Sequence, residues 1–136
     1  MSTSPFRVTG VDFVHIPTTD FGRAMQFYAE VLGLECSARY EHAPGAEFET
    51  GNLTIQVLES AAIGRECRPN PNPIGLRVDD VAAARAALES RGISFMADTM
   101  DSGVCHMAFF RDPDGNALML HHRYAPRGQQ PPDGGS

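Results

Sequence analysis

Apolar side chains recur along this chain with period two and then with helical period, and the order in the first half returns in the second. Residues 11–16 alternate as a strand does. Val14 and Ile16 lie with Asp12 on a core face, and Phe13 and His15 lie on the opposite face. Pro17 and the Thr18-Thr19-Asp20 cluster are expected to end that strand and to supply a helix N-cap. Phe21, Ala24, Met25, Tyr28, Val31 and Leu32 follow at helical spacing, with Gly33 in the position that favours a left-handed helix stop. Strands are expected over residues 34–40, 47–50 and 53–59. They are separated by Ala43-Pro44-Gly45 and by Gly51-Asn52, the latter a short hairpin signal. In the last of these strands Thr54, Gln56 and Leu58 share one face, and Leu53, Ile55 and Val57 the other.

Residues 60–72, which lead into the run Pro69-Asn70-Pro71-Asn72-Pro73, read as an irregular connection. A strand over 74–78 follows, and Asp79-Asp80 caps a helix through Val81, Ala84, Ala87 and Leu88 that stops at Gly92. Strands over 93–100, 104–110 and 117–122 complete the second half. Setting Asp20-Phe21 over Asp80-Val81 also brings Leu32-Gly33-Leu34 near Arg91-Gly92-Ile93, so a βαβββ unit of about 60 residues is repeated. In Asp112-Pro113-Asp114-Gly115-Asn116, Pro113 presets φ and Gly115 supplies the positive φ that closes a tight turn feeding the last strand. The expected class is α+β, one domain in all. It comprises a flexible arm over 1–10, a first unit over 11–59, a linker over 60–72, a second unit over 73–122 and a disordered tail over 123–136, rich in Pro, Gly and Gln. Neither half is large enough to bury a core alone.

Composition narrows the partners. The chain has 136 residues, 42% of them hydrophobic and 21% charged, which suits a soluble globular domain. A formal net charge of −6 without any Lys/Arg cluster argues against nucleic acid and is compatible with a cationic ligand. Cys36, Cys67 and Cys105 are scattered and lack CxxC spacing, so they read as small buried residues of a reducing, cytoplasmic protein. There is no signal-peptide pattern and no apolar run near the ~20 residues a membrane span needs. Gly-rich phosphate loops, Ser-His-Asp arrangements and paired catalytic carboxylates are also missing. Phe27-Tyr28 reads as helix–sheet packing, and His42 and His122 as surface residues.

The two βαβββ units, the Asp20-Phe21-x-Arg23-Ala24-x-x-Phe27-Tyr28…Leu32-Gly33-Leu34 helix, the Val78-Asp79-Asp80-Val81 start and the Asp112-to-Asn116 turn together resemble the vicinal oxygen chelate superfamily. That group includes glyoxalase I, bleomycin-resistance proteins and extradiol dioxygenases, and the likeness spans nearly all of residues 11–122. It implies two curled half-barrels around a cavity, and a homodimer that builds two shared sites. Metal-dependent members take one ligand from each of four strands, and those positions fall here on Phe13, Gln56, Pro73 and Met119. Phenyl and pyrrolidine groups have no donor atom, a thioether is a poor ligand for hard or borderline divalent ions, and one amide oxygen is insufficient. The usual metal site is therefore expected to be absent.

His15 lies two residues beyond Phe13 and His121 two beyond Met119, so both keep the cavity-facing parity. With Gln56 or Glu47 they would make a displaced metal site; otherwise they are polar wall residues. A neutral His15 also suits acid/base work if another group orients its second ring nitrogen. The same parity gives the cavity Thr54, Leu58, Gly75, Arg77 and Ala117. Phe13, Leu58 and Met119 make its walls apolar, and His15, Gln56, Arg77 and His121 add convergent polar groups, the usual makeup of a small-molecule pocket. Arg77 suits a ligand carboxylate, or else pairs with Asp79 or Glu49. The expected function is metal-independent binding of an apolar or aromatic small molecule, with drug sequestration of the bleomycin-resistance type as its form and no cofactor. The alternative is a glyoxalase-like or dioxygenase-like enzyme that uses a displaced divalent metal or His15 as acid/base.

Overall fold

A computed structural model describes residues 5–126, so parts of the expected arm (1–4) and tail (127–136) lie outside the described residues. Eight strands and two helices are arranged as two copies of one topology. The first sheet contains β1 (Phe13–Thr18), β2 (Glu35–Arg39), β3 (Gly45–Glu49) and β4 (Thr54–Glu59), in the order β1-β4-β3-β2. The second contains β5 (Ile74–Arg77), β6 (Met100–Asp101), β7 (Cys105–Arg111) and β8 (Ala117–Arg123), in the order β5-β8-β7-β6. β1 runs parallel to β4 and β5 parallel to β8, while the other pairings are antiparallel. The crossovers carry α1 (Phe21–Gln26) and α2 (Val81–Glu89). This is the α+β pattern of the repeat.

Both helices start where their caps are. Asp20 accepts from the Arg23 N–H at 3.1 Å and Asp80 from the Ala83 N–H at 3.0 Å, each satisfying an otherwise unpaired first-turn donor. The first helix does not stay α-helical to Leu32 as its spacing predicts. Past Gln26 it widens into a π-turn, Phe27–Val31, closed by the Leu32 N–H on the Phe27 carbonyl at 2.9 Å. The extra residue in that turn lets adjacent Phe27 and Tyr28 both point inward. Their rings meet edge to face at 5.0 Å. Gly33 and Gly92, both at positive φ, follow the two helices.

Other boundaries also moved. β1 continues through Pro17 instead of ending there, because β1 is an edge strand and tolerates a residue without an N–H. Gly45 belongs to β3 and not to the preceding turn. The strand expected over 93–100 survives only as β6, plus one ladder bond from the Met96 N–H to the Phe109 carbonyl. Elsewhere Arg85 caps that segment through the Ala97 carbonyl and the Thr99 hydroxyl. β8 runs to Arg123, and the Tyr124 N–H bonds the Val104 carbonyl at 2.9 Å, so residues 123–125 are held to the sheet instead of belonging to a loose tail.

The core packs the helices against the sheets and forms one cluster that joins both halves. Ile16, Phe48, Ile55 and Val57 from the first sheet meet Phe21, Phe27 and Tyr28, and the cluster continues through Val81 and Leu88 to Ala108, Phe110, Leu118 and Leu120. A buried polar seam reinforces it. Tyr28 donates to Asp112 Oδ2 at 2.7 Å, Asn116 Nδ2 donates to Asp112 at 2.8 Å and to the Pro17 carbonyl at 3.0 Å, and Thr18 donates to Asp114. Asn116 Oδ1 meanwhile accepts from the Asn70 N–H in the connection, at 2.8 Å. No helix among the described residues is long and apolar enough to cross a membrane.

Candidate functional site

With the core faces turned inward, the alternate residues of each sheet face outward. On the first sheet the register sets Phe13 beside Thr54, His15 beside Gln56 and Pro17 beside Leu58, with Glu47 beyond Gln56 and Glu49 beyond Thr54. Phe13 is 53% exposed, although it is a large apolar residue in a strand. On the second sheet Gly75 lies beside Met119 and Arg77 beside His121, with Phe109 and Met107 next across β7. A Cβ on Gly75 would lie 3.9 Å from Met119 Cε, so the methionine reaches over the glycine.

The sequence-derived residues thus fall into two groups. Phe13, His15, Thr54, Gln56 and Leu58 share one face of the first sheet, while Arg77, Met119 and His121 share one face of the second. Among the described residues no hydrogen bond or ion pair joins the two groups. Arg77 and His121 instead line a groove of about 520 Å³ between the halves, with Leu32, Leu34, Leu53 and Leu76 as apolar walls. Arg77 forms no ion pair among the described residues, so neither Asp79 nor Glu49 neutralises it. Ala117 is buried. His106 lies 3.5 Å from Asp101 and stacks on Tyr124 at 4.8 Å, away from both groups. His122, expected at the surface, is half-buried with Nδ1 3.1 Å from the Val78 carbonyl oxygen. Cys105 is buried, Cys36 and Cys67 half-buried, and all three are free thiols.

The first face carries a connected polar chain. His15 Nδ1 lies 3.1 Å from Gln56 Oε1, Gln56 Nε2 donates to the Tyr40 hydroxyl at 3.0 Å, and Tyr40 donates to Glu47 Oε2 at 2.6 Å. Partial burial, together with the bond to Glu47, pushes the Tyr40 phenol up, so it stays protonated at neutral pH. Glu49 is held separately: Ser37 and Thr54 donate to its carboxylate at 2.5 and 2.8 Å and keep it below the usual carboxylate range. Gln56 is the orienting partner that His15 lacked in the sequence.

Tyr40 was not legible as a site residue. Strict alternation from Glu35 would turn it away from this face. The ladder between β2 and β3 shifts register between Cys36 and Ala38, and that bulge carries Ala38 and Tyr40 to the side of Glu47. A bulge has no sequence mark here apart from Gly45 opposite. A Cβ at position 45 would lie 2.6 Å from Tyr40 Cδ2 and 2.7 Å from Leu58 Cδ1.

The two faces differ in charge. Register places Glu35, Glu47 and Glu49 together on the first, and Arg77, His121 and Arg123 together on the second. The four positions to which the resemblance carries metal ligands hold Phe13, Gln56, Pro73 and Met119. Phe13, Pro73 and Met119 supply no suitable donor, and both ends of the Gln56 amide are already bonded. Among the described residues no group of three or more His, Cys, Asp or Glu is placed to hold an ion.

The Glyoxalase/Bleomycin resistance protein/Dioxygenase superfamily model matches residues 10–120. Comparison with curated protein sequences gave no match. Among solved structures, TnmS3, an antibiotic binding protein from Streptomyces sp. CB03234, is similar with a TM-score of 0.75 and 23% identity, over 87% of this chain and 98% of that one. A glyoxalase/bleomycin resistance protein/dioxygenase from Nocardioides superposes with a TM-score of 0.72 at 20% identity, over 93% and 92% of the two chains. A lactoylglutathione lyase from Agrobacterium tumefaciens gives 0.71 at 17% identity, over 85% and 94%. At these identities the likeness is one of fold.

Proposed function

Because the chain belongs to the Glyoxalase/Bleomycin resistance protein/Dioxygenase superfamily, we propose that it binds an apolar or aromatic small molecule against the outward face of its first sheet, without a metal. The observation that carries this reading is the pairing on one face of exposed Phe13 and half-buried Leu58 with the bonded chain from His15 to Glu47. An apolar floor with a few fixed polar groups is what a small-molecule site needs. The antibiotic-binding character named for TnmS3 makes drug sequestration the form of this reading that merits testing first.

The complete site needs a second wall. A homodimer in which the acidic first face of one copy meets the basic second face of the other would supply it and would enclose a cavity between them. An enzyme is the second reading. It is favoured by one geometric fact: Gln56 orients the His15 imidazole, as an acid/base histidine requires.

Elemental analysis of protein purified without a metal-binding tag tests metal independence, alongside melting curves with and without chelator and with a panel of aromatic drugs and metabolites. The expected outcome is no stoichiometric Zn, Ni, Fe or Mn, no effect of chelator, and a raised melting temperature with at least one aromatic compound. His15→Ala should weaken that compound by roughly tenfold, the size of one hydrogen bond, and leave the domain folded. One metal per chain with a chelator-sensitive melt would sink the binding reading in favour of the displaced-metal enzyme.

A further inference from the structure

The direction of every hydrogen bond in the chain on the first sheet follows from its carboxylate end. Glu47, as a carboxylate, only accepts, so the Tyr40 hydroxyl spends its single proton there. The Tyr40 oxygen is then left with lone pairs, and the Gln56 group facing it must be the NH₂ end. That turns the amide carbonyl to His15. A carbonyl only accepts, so His15 Nδ1 carries the proton, and in a neutral imidazole Nε2 is then bare. Glu49 does not compete, because Ser37 and Thr54 already satisfy it.

We propose that Glu47 and Tyr40 are positioning residues. Through Gln56 they fix His15 as its Nδ1–H tautomer, so that the site offers a bare Nε2 acceptor and selects ligands with an acidic X–H donor, a phenolic hydroxyl on a flat apolar body. The ligand half of this proposal rests on the binding reading above; the tautomer half does not. Phe13 on the same strand face and Leu58 opposite Pro17 flank the imidazole and give the body of such a ligand its apolar contact. The spacing at Gly45 lets the Tyr40 ring lie close enough to complete the chain.

Reversal gives the sharpest test. In Glu47→Lys the ammonium, which can only donate, gives a hydrogen bond to the Tyr40 oxygen, Tyr40 then donates to the Gln56 carbonyl, and the flipped amide offers its NH₂ to His15 Nδ1. His15 must become the Nε2–H tautomer, without any change at His15 itself. Imidazole ¹⁵N spectra of the ligand-free, full-length protein at mildly alkaline pH read this directly. The expected result is Nδ1–H in the native protein, Nε2–H in Glu47→Lys, and a mixture in Tyr40→Phe, with all three proteins folded by their backbone spectra. Nε2–H in the native protein, or an unchanged tautomer in Glu47→Lys, overturns the relay. 1-Naphthol and 1-methoxynaphthalene then test selection, since only the first can donate. Native protein should prefer the naphthol by about tenfold, and Glu47→Lys and His15→Ala should lose the preference. Equal binding of the two compounds, or binding of neither, overturns the selectivity. The ligand-free spectrum decides the tautomer whatever becomes of the binding reading.

Discussion

Gly45 shows how much a single residue can carry. It needs no positive φ; it is glycine because the Tyr40 ring and a Leu58 methyl occupy the space where a Cβ would be. Gly45→Ala is expected to push the Tyr40 ring away and cost ~1–3 kcal/mol of stability from overpacking. Chemical denaturation measures the cost, and the His15 tautomer should become mixed in the same variant. A loss of stability with the native tautomer intact would separate packing from the relay. Of the residues in that relay, His15 and Gln56 were legible from strand parity, and Glu47 entered only as a possible ligand. Tyr40 was hidden, because a register shift within β2 inverts the parity from which its facing would be read.

At the scale of elements, the Asp112-to-Asn116 turn matters most. Gly115 closes it at φ 94°, as its sequence predicts, and the Gly115 N–H bonds the Asp112 carbonyl at 3.0 Å. The sequence did not reveal that this turn faces α1 and β1, since the partners of Asp112 and Asp114 lie 84 to 96 residues away. Burial would raise the Asp114 carboxyl. Bonds from Thr18 and Thr19 and the Arg23 guanidinium at 2.9 Å outweigh it and hold the group below the usual carboxylate range. Tyr28 moves the other way: burial first, then the charge of Asp112, raises its phenol far above its ordinary value. A raised folded-state value gives stability that is complete below the unfolded value near 10 and is lost as pH rises beyond it. The chain contains no lysine, so none titrates in that window. Stability measured across the alkaline range should therefore fall more steeply in the native protein than in Tyr28→Phe. At neutral pH the variant should lose ~1.5–3 kcal/mol for the missing bond to a carboxylate. Parallel alkaline curves would mean that Tyr28 is not the group responsible. The helix caps were readable as local chemistry; the shrunken β6 was not, because tertiary bonds from Arg85 decide it.

For the whole molecule, the internal repeat made the architecture readable, since one βαβββ pattern predicts both sheets at once. The cavity was less readable. Parity assigns a residue to a face, but parity alone does not say which faces meet, and this chain turns its two candidate faces to separate surroundings. If a second copy brings them together, sedimentation should give a particle of twice 14.7 kDa at micromolar concentration. Arg77→Glu, which places an acid opposite the acidic face, should shift it toward monomer. A native protein that sediments as monomer would leave the site open on one side. The free edge of β1 has a further consequence. The Thr54 N–H bonds the Asp12 carbonyl, so alternate residues Phe13, His15 and Pro17 turn their backbone groups outward. Pro17 has no N–H to offer there, and Asn116 already occupies its carbonyl. A foreign strand seeking to extend the sheet would meet usable groups only at Phe13 and His15, too few to template a fibril. The seam that joins the halves thus also shields this edge against amyloid-like growth.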